Sequence, residues 1–230
     1  MAKISKNIKK ASELIDSSKF YTIEEAIKLA KEASFEKFDP TLDITFKLNL
    51  DVRQADQQLR GALSLPNGTG KSVRVLAATE DAEQAKAAKA AGAEFVVGTV
   101  ELQEILKSGK FNFDIIVTEP KMMPTLGRFG KDLGPKGLMP NPKTGTVTPQ
   151  VGNAVIEIKK GKANYRTDKN GIIHTIIGKK SMTDDKLLEN AKLIIETINK
   201  LKPTVVKGTY MQTLTLATTM GLAIKVKIER

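Results

Sequence analysis

The chain of 230 residues contains no cysteine and only one histidine, His174. Without cysteine, a disulfide, a thiolate nucleophile and a Cys-ligated metal are all excluded, and the composition is compatible with a reducing cytosol. A lone histidine cannot form a metal cluster, and no pair of nucleophile and base is recognisable around it. We therefore expect no metal, no cofactor and no catalytic residue, and we interpret His174 as structural or as a minor polar contact.

Long apolar runs are missing as well. No segment approaches the roughly 18 consecutive apolar residues of a membrane span, and the polar, lysine-rich N-terminus lacks the apolar region of a secretory signal. Hydrophobic residues still make up 40% of the chain, enough for real cores, and the length leaves room for two domains. We therefore expect a two-domain cytoplasmic protein with no membrane partner.

Acidic residues are too few to balance the basic ones: 37 Lys and Arg face 26 Asp and Glu, a formal net charge of +11. Residues 159–230 hold 15 basic and 6 acidic side chains, so nearly all of the excess lies in the C-terminal third. With 31 lysines and 6 arginines, the chain is better suited to phosphate contact than to bidentate reading of base edges. The charge predicts a nucleic-acid partner; the alternative is that the lysine excess serves solubility.

The middle of the chain alternates between short apolar segments and helix-like segments. We predict strands over residues 73–79, 95–98 and 113–118, separated by helices over 81–91 and 100–107. Such alternation is typical of a small parallel sheet covered by helices.

Both ends of the chain show the alternation of strands that have one wet face. Residues 41–50 place leucine, isoleucine and phenylalanine on one side and polar residues on the other. Asn170-Gly171 predicts a hairpin within residues 165–177. Segments 205–216 and 222–228 are predicted to pair across a turn. The two ends therefore read as parts of an antiparallel sheet.

Residues 1–66 hold helices, one opened by a capping box of Thr22 and Glu25, but only one good strand, which is too little to close a core. The C-terminal third supplies strands and a helix over 184–201. We predict an α/β (α+β) fold: a discontinuous two-layer antiparallel-sheet domain I from residues 1–66 and 159–230, with an inserted Rossmann-like parallel α/β domain II over 67–158. Glycines near the two connections are the predicted hinges: Gly68, Gly70 and Gly161.

Two glycine-rich segments have more than one interpretation. Gly68-Thr69-Gly70-Lys71-Ser72 is similar to the end of a P-loop, but Leu65 stands where that motif requires glycine, and a predicted strand follows where it needs a helix. A domain linker is therefore favoured over nucleotide binding. Residues 127–147 are rich in Gly, Pro and Lys; a phosphate contact is one interpretation, and a structural loop capping the inserted domain is the favoured one.

The candidate binding surface lies on the antiparallel domain. The turn Thr218-Thr219-Met220-Gly221 combines hydroxyls, a soft apolar side chain and a glycine, which suits an exposed contact. Beside it we place the wet face of residues 41–50, the approach to the hairpin at 166–169, and a polar face formed by Thr209, Met211, Thr213 and Thr215. Hydroxyls suit ribose 2′-OH groups, and Phe38 offers packing or stacking. Taken singly, each residue has the alternative of an ordinary solvated sheet face. The predicted site comprises Phe38, Thr41, Asp43, Lys47, Arg166, Asp168, Lys169, Thr213, Thr219, Met220 and Gly221.

Three strings occur in order along the chain: LGPKGLMPNPK at 133–143, DKNGIIH at 168–174 and TTMG at 218–221. With them the sequence resembles, along essentially its whole length, the universal family of large-subunit ribosomal protein one in its bacterial form. The resemblance implies a two-domain fold whose first domain combines both termini. It also implies rRNA contacts at Phe38, Thr41 and the neighbouring strand, at Asp168 and Lys169, at Thr213, and above all at residues 219–221.

The resemblance implies a function as well. Its partners would be 23S rRNA at the mobile stalk of the large ribosomal subunit, E-site tRNA whose release it assists, and the mRNA of its own operon, whose translation it represses. Two alternatives stay open: a free-standing RNA- or DNA-binding regulator that is not stably on the ribosome, and a nucleotide-dependent enzyme.

Overall fold

The computed structural model describes residues 6–16, 18–109 and 111–228, and their contacts separate two units. Unit 1 takes the described residues up to Lys71 and from Ala163 onward, and unit 2 takes Ser72–Lys162. The unit boundaries follow residues 71 and 162, whereas the sequence predicted them after residues 66 and 158. Each unit has its own buried core.

Helices and strands follow one another along the chain. In order they are α1 (Lys6–Leu14), α2 (Ile23–Glu32), β1 (Thr41–Leu48), β2 (Arg60–Ser64), β3 (Val75–Ala78), α3 (Ala82–Ala90), β4 (Phe95–Val97), α4 (Thr99–Ser108), β5 (Ile115–Thr118), α5 (Met123–Arg128), α6 (Gly130–Leu133), α7 (Val151–Lys159), β6 (Lys162–Arg166), β7 (Ile172–Lys179), α8 (Asp184–Lys200), β8 (Met211–Thr218) and β9 (Ile224–Val226). The mixture of an antiparallel and a parallel sheet confirms the predicted fold class.

Unit 1 is built on a four-stranded antiparallel sheet in the order β7-β1-β8-β9. The alternation in β1 is strict: Leu42, Ile44, Phe46 and Leu48 are at most 2% exposed, and α2 and α8 pack on that side. The N-terminal end of α2 is well defined, because Thr22 and the side chain of Glu25 form the predicted capping box. Within the described part of unit 1 these helices cover one side of the sheet, and the opposite face carries the polar side chains of β1.

The predicted strands of unit 1 need three corrections. β6 and β7 do not form a hairpin ladder, because β6 pairs with β2 and β7 pairs with β1; one bridge, Thr167 to Ile173, joins their ends. β8 begins at Met211 rather than at residue 205. β2 was missed, because its five residues RGALS carry no alternation of apolar and polar side chains.

Unit 2 has the predicted parallel sheet, in the order β4-β3-β5. Residues of β3 alternate between two cores: Leu76 packs with α4, and Val75 packs with α3 and α7. Segment 127–147 contains the end of α5, the short helix α6 and a 3₁₀ helix at Pro142–Thr144, so it is more regular than the loop that its composition predicted. Leu133 and Leu138 anchor it in the core beside α4.

Candidate nucleic-acid interface

The outer face of the unit 1 sheet presents polar side chains in cross-strand rows. One row crosses all four strands and consists of His174, Thr45, Thr215 and Lys225. In the next row Lys47 lies opposite Thr213. Because side chains directly opposite one another are close in antiparallel sheets, these hydroxyl and ammonium groups lie side by side across the sheet. Unit 1 holds 24 of the 37 basic and 16 of the 26 acidic residues, a net charge of +8.

One residue that the sequence placed on this face is in the core instead. Met211 is 5% exposed, whereas Gln212 and Thr213 are both exposed. The register explains the difference: Lys47 pairs with Thr213 and Leu48 pairs with Met211, so Gln212 is the extra residue of a β-bulge. Before the bulge, at the start of β8, the inward and outward positions are therefore exchanged, and the side chain of Met211 points into the core.

The turn at residues 218–221 closes β8, with the Gly221 N–H donating to Thr218 O at 3.0 Å. Thr218 itself is 5% exposed, and its hydroxyl donates to Glu36 Oε1 at 3.1 Å. A side chain on Gly221 would collide with that hydroxyl, so glycine is required here by close approach and not by a positive φ. The turn therefore presents two of its four residues, Thr219 and Met220, to solvent.

The hydroxyl of Thr219 holds the turn against the start of β1. The backbone N–H of Thr41 donates to Thr219 Oγ1 at 3.0 Å, and the N–H of Thr219 donates to Thr41 O at 3.1 Å. Two predicted site residues are thus joined directly, although 178 residues separate them in sequence. Met220, beside them, is 62% exposed, and Phe38, three residues before β1, is 56% exposed.

Glu36 is part of this arrangement and was missed by the sequence analysis. Its Oε1 accepts from Thr218 Oγ1 and, at 3.2 Å, from the Met220 N–H, while Ser34 Oγ donates to Oε2 at 2.5 Å. Burial opposes ionisation of Glu36, but the hydrogen bonds from Ser34, its own backbone, Thr218 and Met220 outweigh it and lower the pKa below its ordinary value. No local pattern could have revealed the contact, since Glu36 lies 184 residues before Met220.

At the other end of β1, Asp168 organises the loop that leads into β7. Its Oδ1 accepts from the N–H groups of Asn170 and Ile172, both at 2.8 Å. The hydrogen bond from Ile172, helped by Asn170 and the nearby His174 against the opposing effect of burial, lowers the pKa of Asp168. Asp168 thus shapes the loop and leaves Lys169 exposed at its tip.

Two further predicted residues differ in setting. Asp43 is half-buried on the outer face, and burial raises its pKa, with a partly offsetting effect of His174, whose Nδ1 lies 3.2 Å from Thr45 Oγ1. Arg166 is exposed but belongs to β6, which pairs with β2 and not with the four-stranded sheet. Arg166 therefore lies outside the cross-strand rows.

The predicted turn and the loop of Asp168 lie at opposite ends of β1. Thr41 and the turn are at its first residue, and the loop of Asp168 is at its last, where the Leu48 N–H donates to Gly171 O at 3.0 Å. Seven residue steps of about 3.3 Å place the turn and the loop about 23 Å apart. A ligand that touches both must be long, as a folded nucleic acid is.

The three predicted hinge glycines lie near the two boundaries of the units. Gly68 and Gly70, with φ of 68° and 71°, belong to unit 1, where Gly68 O accepts from Asn190 Nδ2 at 3.0 Å. Gly161, with φ of 100°, belongs to unit 2. Positive φ accounts for glycine at all three positions, and their role as hinges stays a prediction.

Within the described residues, no group of three or more His, Asp and Glu side chains could hold a metal ion, and no helix is long and apolar enough to cross a membrane. Fold and surface together define a class of protein: a two-unit α/β protein whose antiparallel sheet presents a basic face with hydroxyl groups.

Comparison with known proteins gives the family within that class. The model of the ribosomal protein L1p/L10e family matches residues 29–222, and the chain belongs to this family. It is 61% identical over 229 residues to the large ribosomal subunit protein uL1 of Mycoplasmopsis pulmonis, with 100% of both chains covered. It is 63% identical over 229 residues to the protein of the same name from Mycoplasma mobile, covering 99% of this chain and 98% of that one.

Proposed function

We propose that the chain is a structural protein of the large ribosomal subunit that binds 23S rRNA through unit 1. The observation that carries the proposal is the outer face of the sheet, where Lys47, Lys225 and several threonines lie between an anchored turn at one end of β1 and a lysine-tipped loop at the other. The names of full-length relatives at about 60% identity support the same assignment. The protein then works in the cytoplasm, on the ribosome.

Recognition on this surface depends on shape and backbone contacts. Lysine ammonium groups such as those of Lys47 and Lys169 neutralise phosphates, and threonine hydroxyls meet ribose 2′-OH groups, which distinguish RNA from DNA. Because the Thr219 hydroxyl is already bonded to Thr41, the turn contributes its fixed backbone and the exposed Met220 side chain. The site is pre-organised, so little conformational entropy is lost on binding.

The finer part of the proposal concerns the ribosome's mobile stalk. Unit 1 holds the rRNA, the glycines near the unit boundaries let unit 2 move, and the protein follows the stalk while deacylated tRNA leaves the E site. A similar fold in the mRNA of its own operon competes for the same surface, so that excess protein represses its own synthesis. Both roles depend on one binding surface, and both are lost together when it is damaged.

A titration against four ligands tests the proposal: a 23S rRNA stalk fragment, the leader of the operon mRNA, duplex DNA and ATP. We expect tight binding of both RNAs and weak binding of DNA and ATP. Met220→Asp should weaken RNA binding at least about 100-fold, because like charges forced together cost several kcal/mol. Val205→Asp is the matched control, since Val205 is 59% exposed in the same unit. Tight ATP binding with weak RNA binding would refute the proposal.

Salt dependence tests the electrostatic part separately. The log–log slope of affinity against salt should fall by about one for each phosphate-contacting lysine removed, as in Lys47→Gln and Lys169→Gln. Lys86→Gln, an exposed lysine on α3 of unit 2, should leave the slope unchanged. A flat affinity from low to moderate salt would show that phosphates are not the main contact.

A further inference from the structure

We infer that a cleft at the margin of the sheet, beside Phe20, binds one unpaired nucleotide of the RNA, with its base stacked on the phenylalanine ring. The cleft has a volume of about 420 Å³, within the range of small-ligand sites. It lies at the open end of the β8–β9 pair, whose ladder stops at Leu214 and Val226 while β8 continues to Met211. The inference rests on the proposed function, because the nucleotide belongs to an RNA already bound by unit 1.

Of the two aromatic residues that line this cleft, Phe20 is 65% exposed and Tyr210 is buried. The position of Phe20 is fixed by the next residue: the Tyr21 N–H donates to Lys225 O at 3.0 Å, and the Lys227 N–H donates to Tyr21 O at 2.8 Å. Tyr21 thus extends the sheet beyond β9 and holds the phenylalanine at its outer edge. A single exposed phenylalanine is ordinary on a protein surface, so the argument depends on what surrounds it.

Cations lie next to the ring. Lys225 Nζ is 5.9 Å from the ring centroid of Phe20, and Lys227 lines the cleft. None of the described residues that line the cleft is acidic. An exposed aromatic ring with one lysine near it and another in the cleft matches a stacked base joined to a phosphate, the combination by which single-stranded nucleic acids are bound.

The walls carry groups that can pair with the edge of a base. The bulge of β8 turns both Gln212 and Thr213 outward, and Asn199 and Thr209 complete the polar lining. Side-chain amides and hydroxyls both donate and accept hydrogen bonds, so they can satisfy a base edge that has left its pair. The apolar part of the lining includes Met211, Leu214 and Val226.

The cleft is continuous with the candidate interface and not a separate surface. Thr213 lines it and also lies opposite Lys47 on the outer face. Lys225, beside the ring, belongs to the polar row that runs through Thr215 and Thr45. An RNA lying along the rows can therefore place one nucleotide in the cleft without leaving the sheet.

The test uses the full chain with the 23S rRNA stalk fragment. Phe20→Ala should weaken binding at least about fivefold, the lower end of the loss expected for one base–aromatic stack, and Phe20→Tyr should restore it because the ring is kept. Val205→Ala, an equally exposed apolar truncation outside the cleft, should change nothing. Photo-crosslinking with 4-thiouridine in the RNA should mark the peptide that contains Phe20, and the crosslink should be absent in Phe20→Ala.

The outcomes separate this inference from the proposed function. If Met220→Asp weakens RNA binding but Phe20→Ala binds as tightly as wild type and no crosslink reaches Phe20, the cleft holds no nucleotide and the inference is wrong. An apolar segment of another protein in the cleft would give the same unchanged affinity for RNA. If neither variant changes the affinity, the sheet is not the RNA surface and the proposed function fails with it.

Discussion

Replacing Glu36 should weaken RNA binding without unfolding the protein, because this carboxylate accepts hydrogen bonds from the turn at residues 218–221. Three hydrogen bonds from other residues reach it, from Ser34 Oγ, Thr218 Oγ1 and the Met220 N–H. A net contribution of about 0.5–1.5 kcal/mol for each bond gives a total of about 1.5–4.5 kcal/mol, and partial solvent access places the loss near the lower end. Without these bonds the turn is loosened, and RNA must order it again on binding. If this ordering costs about 1.4 kcal/mol of binding free energy, the dissociation constant becomes tenfold larger.

Two variants separate geometry from charge. Glu36→Ala removes the acceptor and should bind the rRNA fragment about tenfold more weakly. Glu36→Gln keeps an oxygen for the Thr218 and Met220 donors and removes a negative charge from the RNA surface, so it should bind as tightly as wild type or more tightly. Isothermal titration with the 23S rRNA fragment measures both, with circular dichroism as a check on folding. Equal affinities of wild type and a folded Glu36→Ala would refute the reasoning.

The pKa of Glu36 adds a pH dependence with a defined sign. Its folded value is lowered, so its contribution to stability is complete above the pKa of the unfolded chain and disappears as the pH falls through the folded value. The free-energy difference of unfolding between wild type and Glu36→Gln should therefore be constant at neutral pH and shrink below about pH 4.3, where a free glutamate titrates. A difference that grew on acidification would contradict the assigned sign.

Three further substitutions test other parts of the structure. Gly221→Ala should lower both stability and RNA affinity, because the new methyl collides with the Thr218 hydroxyl. Gly127→Ala, within α5, meets open space and should leave the RNA affinity unchanged and the stability equal or slightly higher. Thr219→Val should cost about 1 kcal/mol in urea unfolding, since the hydroxyl that accepts from the Thr41 N–H is lost; no change would mean that the turn is held otherwise. Asn190→Leu should cost about 3 kcal/mol, because Asn190 is fully buried and its side chain bonds Asn67 N, Gly68 O and Ile177 O; a loss below about 1 kcal/mol would show that water replaces these bonds.

Sequence patterns predicted the elements of this fold where local rules govern them. The period-two alternation of β1 and the capping box of α2 are statements about neighbouring residues, and the structure has both. The Asn-Gly signal predicted a turn correctly but paired the wrong strands, because pairing depends on partners far away in sequence. The bulge at Gln212 inverted the outward and inward positions at the start of β8 for the same reason.

For the candidate site, the sequence indicated which segments form exposed turns and loops, but not which of their side chains are used in bonds within the protein. It identified the turn and the loop before β7, both rich in turn-forming residues. It could not assign the Thr218 hydroxyl to an intramolecular bond, because its acceptor Glu36 becomes a neighbour only in the folded sheet. The bonds of Asp168 to the N–H groups of Asn170 and Ile172 are local, but the sequence interpretation gave this residue a binding role instead. Glu36 and Phe20 carry no motif at all, and only the three-dimensional contacts place them beside the surface.

The order of strands in the unit 1 sheet has a consequence for biosynthesis. β1 pairs only with β7 and β8, which the ribosome makes more than 120 residues later, whereas unit 2 is contained in one continuous stretch. During translation the inserted unit can close while β1 has no sheet neighbour, since domains fold as their last contacts emerge. We expect protease to spare residues 72–162 of stalled nascent chains and to cut β1 until β8 has been made. The surface that we propose for RNA binding is therefore complete only after β8 has been made.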